Sequence, residues 1–404
     1  MISVDEARAK ILKDIRPVGT EVIALSHASG RVMANDAISR RTQPPSDMSA
    51  MDGFAVKAAD IVTTPVDLKI IGEVPAGGGL NIEVKAGEAV RIFTGAPLPR
   101  GTDTIVIQED TEFTEETVTI KEGSAKGTYV RPAGLDFREG DVGLSAPKIL
   151  APRDIGLLAS MNIPWVTVRR KPRIALLSTG DELVRPGEPL GTNQIISSNS
   201  LLVASIIEAA GGEALDLGIA KDNAESLREK VQDAKSADML ITLGGASVGD
   251  HDLIQPVLGK EGLSVDFWRI AMRPGKPLIF GSFAEIPMLG MPGNPVSSMI
   301  CSYLFLIPAL DVLRGLPPRH PPRQKAVLGH DLKQNDRRED YMRAQIIGEE
   351  NGLPLVQLFS KQDSSMLSPL SSADCLIVRE PFAEALVKGA EVEMIPLTHP
   401  YPAV

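Results

Sequence analysis

The sequence predicts a multi-domain α/β plus β protein, and three observations carry that expectation. A regular strand and helix rhythm starts at Lys171, a segment of short β patterns precedes it, and a β-only segment follows a proline-rich break. At 404 residues the chain exceeds what one hydrophobic core serves, so three or four domains are expected.

Taken in order, Ser3 and Glu6 stand at capping-box spacing ahead of Ala7, Ile11, Leu12 and Ile15, which predicts an amphipathic helix of a mature protein rather than a signal peptide. Residues 66–121 hold short β runs, 67–74 and 104–108 among them, punctuated by Gly and Pro, and read as a small β-rich domain. From Lys171 the runs change. Residues 173–179 form a continuous apolar strand, and Asn199 is placed to cap a helix that runs to Ala210 and stops at Gly211-Gly212. A second helix carries Leu227, Val231 and Ala234 on one face and leads to the apolar strand 239–243, which ends in Gly244-Gly245. Strands separated by helices at this spacing need right-handed crossovers, hence a parallel sheet covered on both faces. The stretch Leu316-Pro317-Pro318-Arg319-His320-Pro321-Pro322 breaks the rhythm as a linker. Beyond it, the runs 341–347 and 353–359 flank Asn351-Gly352, a hairpin signal, and the chain closes in a small all-β domain.

Composition removes several function classes. A 43% hydrophobic and 23% charged chain is an ordinary soluble mixture. Aromatics at 4% give no stacking platform for single strands, and a net charge of -10 gives no basic field for a phosphate backbone, so no nucleic acid partner is expected. Cys301 and Cys375 form no CxxC pair, and the five histidines are scattered singly, which argues against a thiolate or histidine metal site. The longest apolar run, residues 299–310, suits a buried helix better than a membrane span of about twenty residues. The expected location is cytoplasmic, with no membrane partner.

In an open parallel sheet, ligands bind beyond the carboxyl ends of the strands, so residues just after each strand carry the chemistry. Three such places stand out: Ser178-Thr179-Gly180-Asp181-Glu182, then Gly244-Gly245-Ala246-Ser247-Val248-Gly249-Asp250-His251-Asp252, then Arg273-Pro274-Gly275-Lys276-Pro277. Glycines let backbone N–H groups approach an oxyanion, and carboxylates beside them can hold a divalent cation. Each piece alone has a bland alternative: a tight turn for Gly-Gly, a helix cap for Asp181 or Glu182, a surface cation for Arg273 or Lys276. Their shared place on one sheet edge favours a phosphorylated substrate.

The second and third of these segments, with Gly290-Met291-Pro292-Gly293-Asn294-Pro295-Val296-Ser297, Ser49-Ala50-Met51-Asp52-Gly53-Phe54-Ala55-Val56, Gly72-Glu73-Val74-Pro75-Ala76-Gly77 and Ile92-Phe93-Thr94-Gly95-Ala96-Pro97, resemble the molybdopterin molybdenumtransferase family. These are the MoeA-type enzymes, which include the E-domain of gephyrin. The likeness runs in order from Ile11 to Pro396, with Arg273 standing where the family usually has Lys.

The resemblance implies a split N-terminal domain (1–46 and 135–170), an inserted β-rich domain (47–134), a central parallel-sheet molybdopterin-binding α/β domain (171–316) and a C-terminal β-barrel (317–404). It implies a homodimer whose active site lies between the α/β domain of one subunit and the β-rich domain of the other. The implied reaction takes adenylyl-molybdopterin and molybdate to molybdenum cofactor and AMP. A tetrahedral dianion calls for fixed cationic and hydroxyl donors, assigned to Arg273, Lys276, Ser247, Arg343 and Ser364. Pyrophosphate cleavage calls for Mg2+, assigned to Glu182 and Asp252, with Asp52 and Asp136 joining catalysis from the partner subunit. Thr94, Asn199, Asp222, Gly244 and Gly245 line the cleft. For Asp52 and Thr94 the fixing of a turn is the bland alternative. Contact with the molybdopterin adenylyltransferase is a further expected partnership. That adenylyltransferase is itself the rival enzymatic reading, and a non-catalytic scaffold of the same fold is the rival of another class.

Overall fold

The Arg173–Thr179 strand alternates its side chains between two cores, with Ile174 and Leu176 in one and Ala175 and Leu177 in the other. That alternation is what a strand covered on both faces requires. In the computed structural model, which describes residues 1–79, 81, 83–245, 257–259, 262–267 and 269–397, this strand is the second of a six-stranded sheet, paired on both sides. The order is Glu213–Ala220, Arg173–Thr179, Met239–Leu243, Ile286–Met291, Ile279–Phe283, Leu263–Phe267. The first four strands are parallel, and the last two extend the sheet as antiparallel neighbours. The expected parallel sheet is therefore present as a four-stranded core with a mixed edge.

The Asn199–Ala209 helix packs Val203 and Ile207 on one face, and Ala224–Val231 packs Leu227 and Val231 on the other. The first core also takes Val4, Ala7, Ile11 and Ile15 from the N-terminal helix Val4–Asp14, whose N-cap Ser3 accepts the Glu6 N–H as the capping spacing predicts. Through it runs the long apolar helix Pro295–Leu313, the one described helix long and apolar enough to cross a membrane; 89% of its apolar window is buried inside the fold. Its central turn, Ser302–Leu306, is π-helical.

Five strands close the C-terminal barrel in the order Glu339–Glu350, Leu353–Leu358, Gln324–Leu328, Glu391–Pro396, Cys375–Arg379, with the last pairing back to the first. The Asn351-Gly352 turn joins the first two strands with φ of +54° and +77°, the left-handed pair of a tight hairpin.

The chain divides into two compact units and interleaves them: Met1–Glu21, Gly30–Ala34 and Thr167–Val404 form the unit above, and Val22–Ser29 with Asn35–Val166 form the other. This second unit holds a six-stranded sheet in the order Thr104–Ile107, Gly53–Val56, Glu88–Ile92, Val66–Val74, Thr117–Ile120, Thr111–Phe113. Phe54 and Val56 face one core and Ala55 the other. Gly53 has no substitute there, because a Cβ would lie 2.0 Å from the Val106 carbonyl oxygen.

Candidate functional site

All four parallel strands of the α/β sheet end at one cleft of about 890 Å³. Thr179 leads into Gly180 and Glu182, Ala220 into Asp222, Leu243 into Gly244 and Gly245, and Met291 into Pro292, Gly293 and Asn294. The cleft thus lies beyond the carboxyl ends of the strands, where the sequence reading places a ligand site. The floor is main chain. Gly244 has φ of +93°, and a Cβ on it would sit 2.9 Å from the Thr179 carbonyl oxygen, so two strand ends approach as closely as they do only because a side chain is missing. Glu182 folds its carboxylate back over Gly180, whose added Cβ would be 2.6 Å from Glu182 Oε2. The two neighbouring loops are tied reciprocally: the Asp222 N–H donates to Asp181 Oδ1 at 3.1 Å and the Asp181 N–H to Asp222 Oδ2 at 3.4 Å.

Five of the expected site residues, Glu182, Asn199, Asp222, Gly244 and Gly245, line this cleft together. Asn199 does so in the first turn of its helix with Ser198 at the cap position, one residue earlier than expected. Its amide Nδ2 donates to the Gly293 carbonyl at 2.6 Å instead of capping the helix. Ser247 and Asp252 lie outside the described residues.

The anion-binding candidates divide. Lys276 is exposed, next to Pro277 in the cleft wall. Arg273 instead directs its guanidinium to the carboxylates of Asp340 and, at 3.2 Å, Asp336. Arg343 is 1% exposed and donates to the carbonyls of Met366 at 2.8 Å, Asp363 at 2.9 Å and Lys361 at 3.4 Å. Burial depresses its pKa, opposed by the nearby Asp363 carboxylate. Ser364 accepts from Asn294 Nδ2 at 2.9 Å, and its neighbour Ser365 lines the cleft.

Asp52 and Thr94 meet in the second unit. The Thr94 N–H and Oγ1 donate to Asp52 Oδ1 at 2.7 and 2.8 Å, and these two bonds, the backbone one first, hold the Asp52 carboxyl below its ordinary pKa. The pair ties two loops 42 residues apart, a structural role distinct from the fixing of a local turn. Asp136 is exposed in the same unit, its N–H donating to the Gln43 carbonyl at 3.0 Å.

Ser197 and Ser198, which the sequence reading did not single out, also line the cleft, as do Ser178, Thr179 and Asn294, which it named only within longer segments and gave no role of their own. The signal for Ser178, Thr179 and Asn294 was available, since each stands at or just after a strand end. The cleft is consequently lined by two carboxylates, several hydroxyls and glycine backbone, with no Lys or Arg among its described lining residues. An anionic ligand there needs a counter-ion. Among the described residues no three His, Cys, Asp or Glu side chains converge as a metal cage. One or two carboxylates completed by ligand phosphates and water is, however, the usual Mg2+ arrangement, and Glu182 and Asp222 suit it.

Known proteins share this organisation along the whole chain. Residues 2–162 match the MoeA N-terminal region (domain I and II), 175–312 a probable molybdopterin binding domain, and 325–397 the MoeA C-terminal region (domain IV). A molybdopterin molybdenumtransferase of Haemophilus influenzae is 36% identical over 99% of both chains. One from Bacillus subtilis is 30% identical over 98% of this chain and 94% of its own. A solved molybdopterin biosynthesis MoeA protein from Pyrococcus horikoshii superposes with a TM-score of 0.87 at 30% identity, covering 98% of this chain and 99% of that one.

Proposed function

The chain belongs to the molybdopterin molybdenumtransferase family, and from that premise we propose that its α/β cleft binds adenylyl-molybdopterin and releases AMP as molybdate is used to complete the molybdenum cofactor. It is a transferase of molybdenum cofactor biosynthesis. The observation that carries the assignment to this cleft is its lining: four strand ends supply glycine backbone, hydroxyls and the Glu182 and Asp222 carboxylates at one edge.

Glu182 and Asp222, with Asp252, would hold Mg2+, which supplies charge neutralisation at the pyrophosphate when bound. Gly244, Gly245 and Asn199 line the path of the nucleotide substrate. Lys276 and the Ser364 hydroxyl are the molybdate-facing donors of this reading, with Ser247 assigned to the same end. Arg273 and Arg343 support the same region through the partners described above. Asp52, Thr94 and Asp136 complete the cleft of a neighbouring copy in a homodimer, and the adenylyltransferase that makes the substrate is the expected transient partner. The working location is cytoplasmic.

The direct test incubates the purified chain with adenylyl-molybdopterin, magnesium and molybdate and follows AMP and cofactor together. Both products should appear in equal amounts, and AMP release without cofactor would reject the transfer reading. Light scattering at micromolar concentration should give twice the 43.2 kDa of one chain, and a single-chain mass would remove the shared-cleft assignment.

A further inference from the structure

We propose that Ile2 is a positioning residue for Lys276, acting through the rigid peptide unit that joins Arg269 to Ile270. The proposal rests on the reading of Lys276 as a molybdate-facing donor and adds a residue that lies outside the cleft lining.

The link is made by main chain. The Ile2 N–H donates to the Arg269 carbonyl at 3.2 Å and the Ala271 N–H to the Ile2 carbonyl at 2.8 Å, so Ile2 pairs with Ile270 as an isolated parallel bridge. The Ile270 N–H points the other way and donates to the Lys276 carbonyl at 3.1 Å, which closes the loop 270–276. The Arg269 carbonyl and the Ile270 N–H belong to one peptide group, which is planar and aims its two polar atoms in opposite directions. Ile2 and Lys276 therefore hold the two ends of one rigid plate. Turning that plate to release Ile2 also turns the Ile270 N–H away from Lys276, and the bond on one side polarises the group for the bond on the other.

The other supports of the loop do not replace this tie. Support from the barrel begins one residue later: the Glu339 N–H donates to the Ala271 carbonyl at 2.9 Å, and Met272 and Arg273 pair with Glu339 and Asp340. The far side of the loop rests on Gly275, which has φ of +112° and lies so close to the core that an added Cβ would be 2.9 Å from Cys301 Sγ. Just beyond it, Lys276 is exposed and Pro277 enters the cleft wall. The Lys276 carbonyl belongs to the peptide group that joins these two residues. What holds that carbonyl therefore also sets where the Lys276 side chain leaves the main chain. Ile270 is buried and Ile2 packs against the same core, so a main-chain group freed there is not simply taken over by water.

The plain alternative is that Ile2 only leads into the Val4–Asp14 helix, whose N-cap Ser3 accepts the Glu6 N–H. Ser3→Ala weakens that helix start and leaves the Ile2 main chain in place, so it serves as the control.

The experiment deletes Met1 and Ile2, with the new first residue confirmed by mass, and compares this chain with wild type, Ser3→Ala and Lys276→Ala, the last also combined with the deletion. AMP release is measured against molybdate and against adenylyl-molybdopterin, and deuterium uptake is followed over residues 269–277. The deletion should speed that uptake and raise the molybdate KM about three- to tenfold, the effect of losing roughly one net hydrogen bond, with the adenylyl-molybdopterin KM within about twofold of wild type. Ser3→Ala should match wild type in uptake over 269–277 and in molybdate KM. In the Lys276→Ala background the deletion should raise the molybdate KM no further, because its effect runs through Lys276. Unchanged uptake in the deleted chain would overturn the tie. Faster uptake with a normal molybdate KM, or an equal rise with and without Lys276, would overturn the positioning role and leave the cleft reading intact. A Ser3→Ala chain as defective as the deleted one would reduce Ile2 to a helix lead. Wild-type AMP release that ignores molybdate would reject the cleft reading, and the proposal with it.

Discussion

Glu182 lies over Gly180 at the end of its strand, exposed to the cleft and remote from either core of the sheet. Glu182→Gln keeps its shape and removes its charge. Magnesium-dependent AMP release should fall by orders of magnitude while the melting temperature stays within the range of a surface change, about 0.5 kcal/mol. If Glu182 served only a turn, stability would drop and AMP release would survive. A second residue-scale expectation concerns acid. Asp336 is held at about 2 from an ordinary 3.8, first by its bond from Arg338 and also by the Arg273 charge. A carboxylate depressed on folding contributes stability above its unfolded pKa and loses it as pH falls through the folded value. Wild type should therefore lose melting temperature between pH 4 and 2 more steeply than Asp336→Asn, and parallel curves would remove Asp336 from the acid response. Glu182 and Gly244 were legible in the sequence because a strand end announces its own next residue, whereas Asp222 came only from the family resemblance. The engagements of Arg273 and Arg343 were not, because their partners stand at Asp336, Asp340 and the 361–366 segment, brought near only by barrel pairing.

The long helix shows how an element is completed from outside. Pro308 has no N–H for the Leu304 carbonyl four residues earlier, and the turn just before it widens to π geometry over Ser302–Leu306. Arg8, on the N-terminal helix, donates Nε to that same Leu304 carbonyl at 3.3 Å. Arg8→Met keeps the aliphatic stem and removes the donor, which should cost about 1–3 kcal/mol in urea unfolding. In Pro308→Ala a backbone donor returns, so the same Arg8 change should cost less there, and equal costs in both backgrounds would break the link. Elements set by local chemistry were readable: the Ser3 cap, the 173–179 strand and the Asn351-Gly352 hairpin. Asn199 was misread as a cap because its true partner, the Gly293 carbonyl, is 94 residues away.

For the whole molecule, the change of rhythm at Lys171 and the proline-rich break gave the α/β and barrel regions, while the interleaving of two units had no local mark. Nothing in residues 30–34 announces that they belong with a segment beginning at Thr167. The proline-rich stretch is also less of a spacer than its composition suggests. Asp311, with no side-chain exposure, accepts from Arg319 Nε at 2.8 Å, Nη2 at 2.7 Å and backbone N–H at 3.0 Å. Asp311→Ala should cost about 3–5 kcal/mol and open residues 316–322 to protease, and an unchanged urea midpoint would show the clamp to be idle. The glycine floor of the cleft has a different kind of consequence. Where side chains shape a pocket, single substitutions can retool it gradually; here Gly180 and Gly244 leave no side chain to vary, and any replacement intrudes at once on a carboxylate or a neighbouring main chain. Drift toward a new ligand must therefore begin at the rim, at positions such as Ile195 and Ser365, while the floor remains a fixed mould.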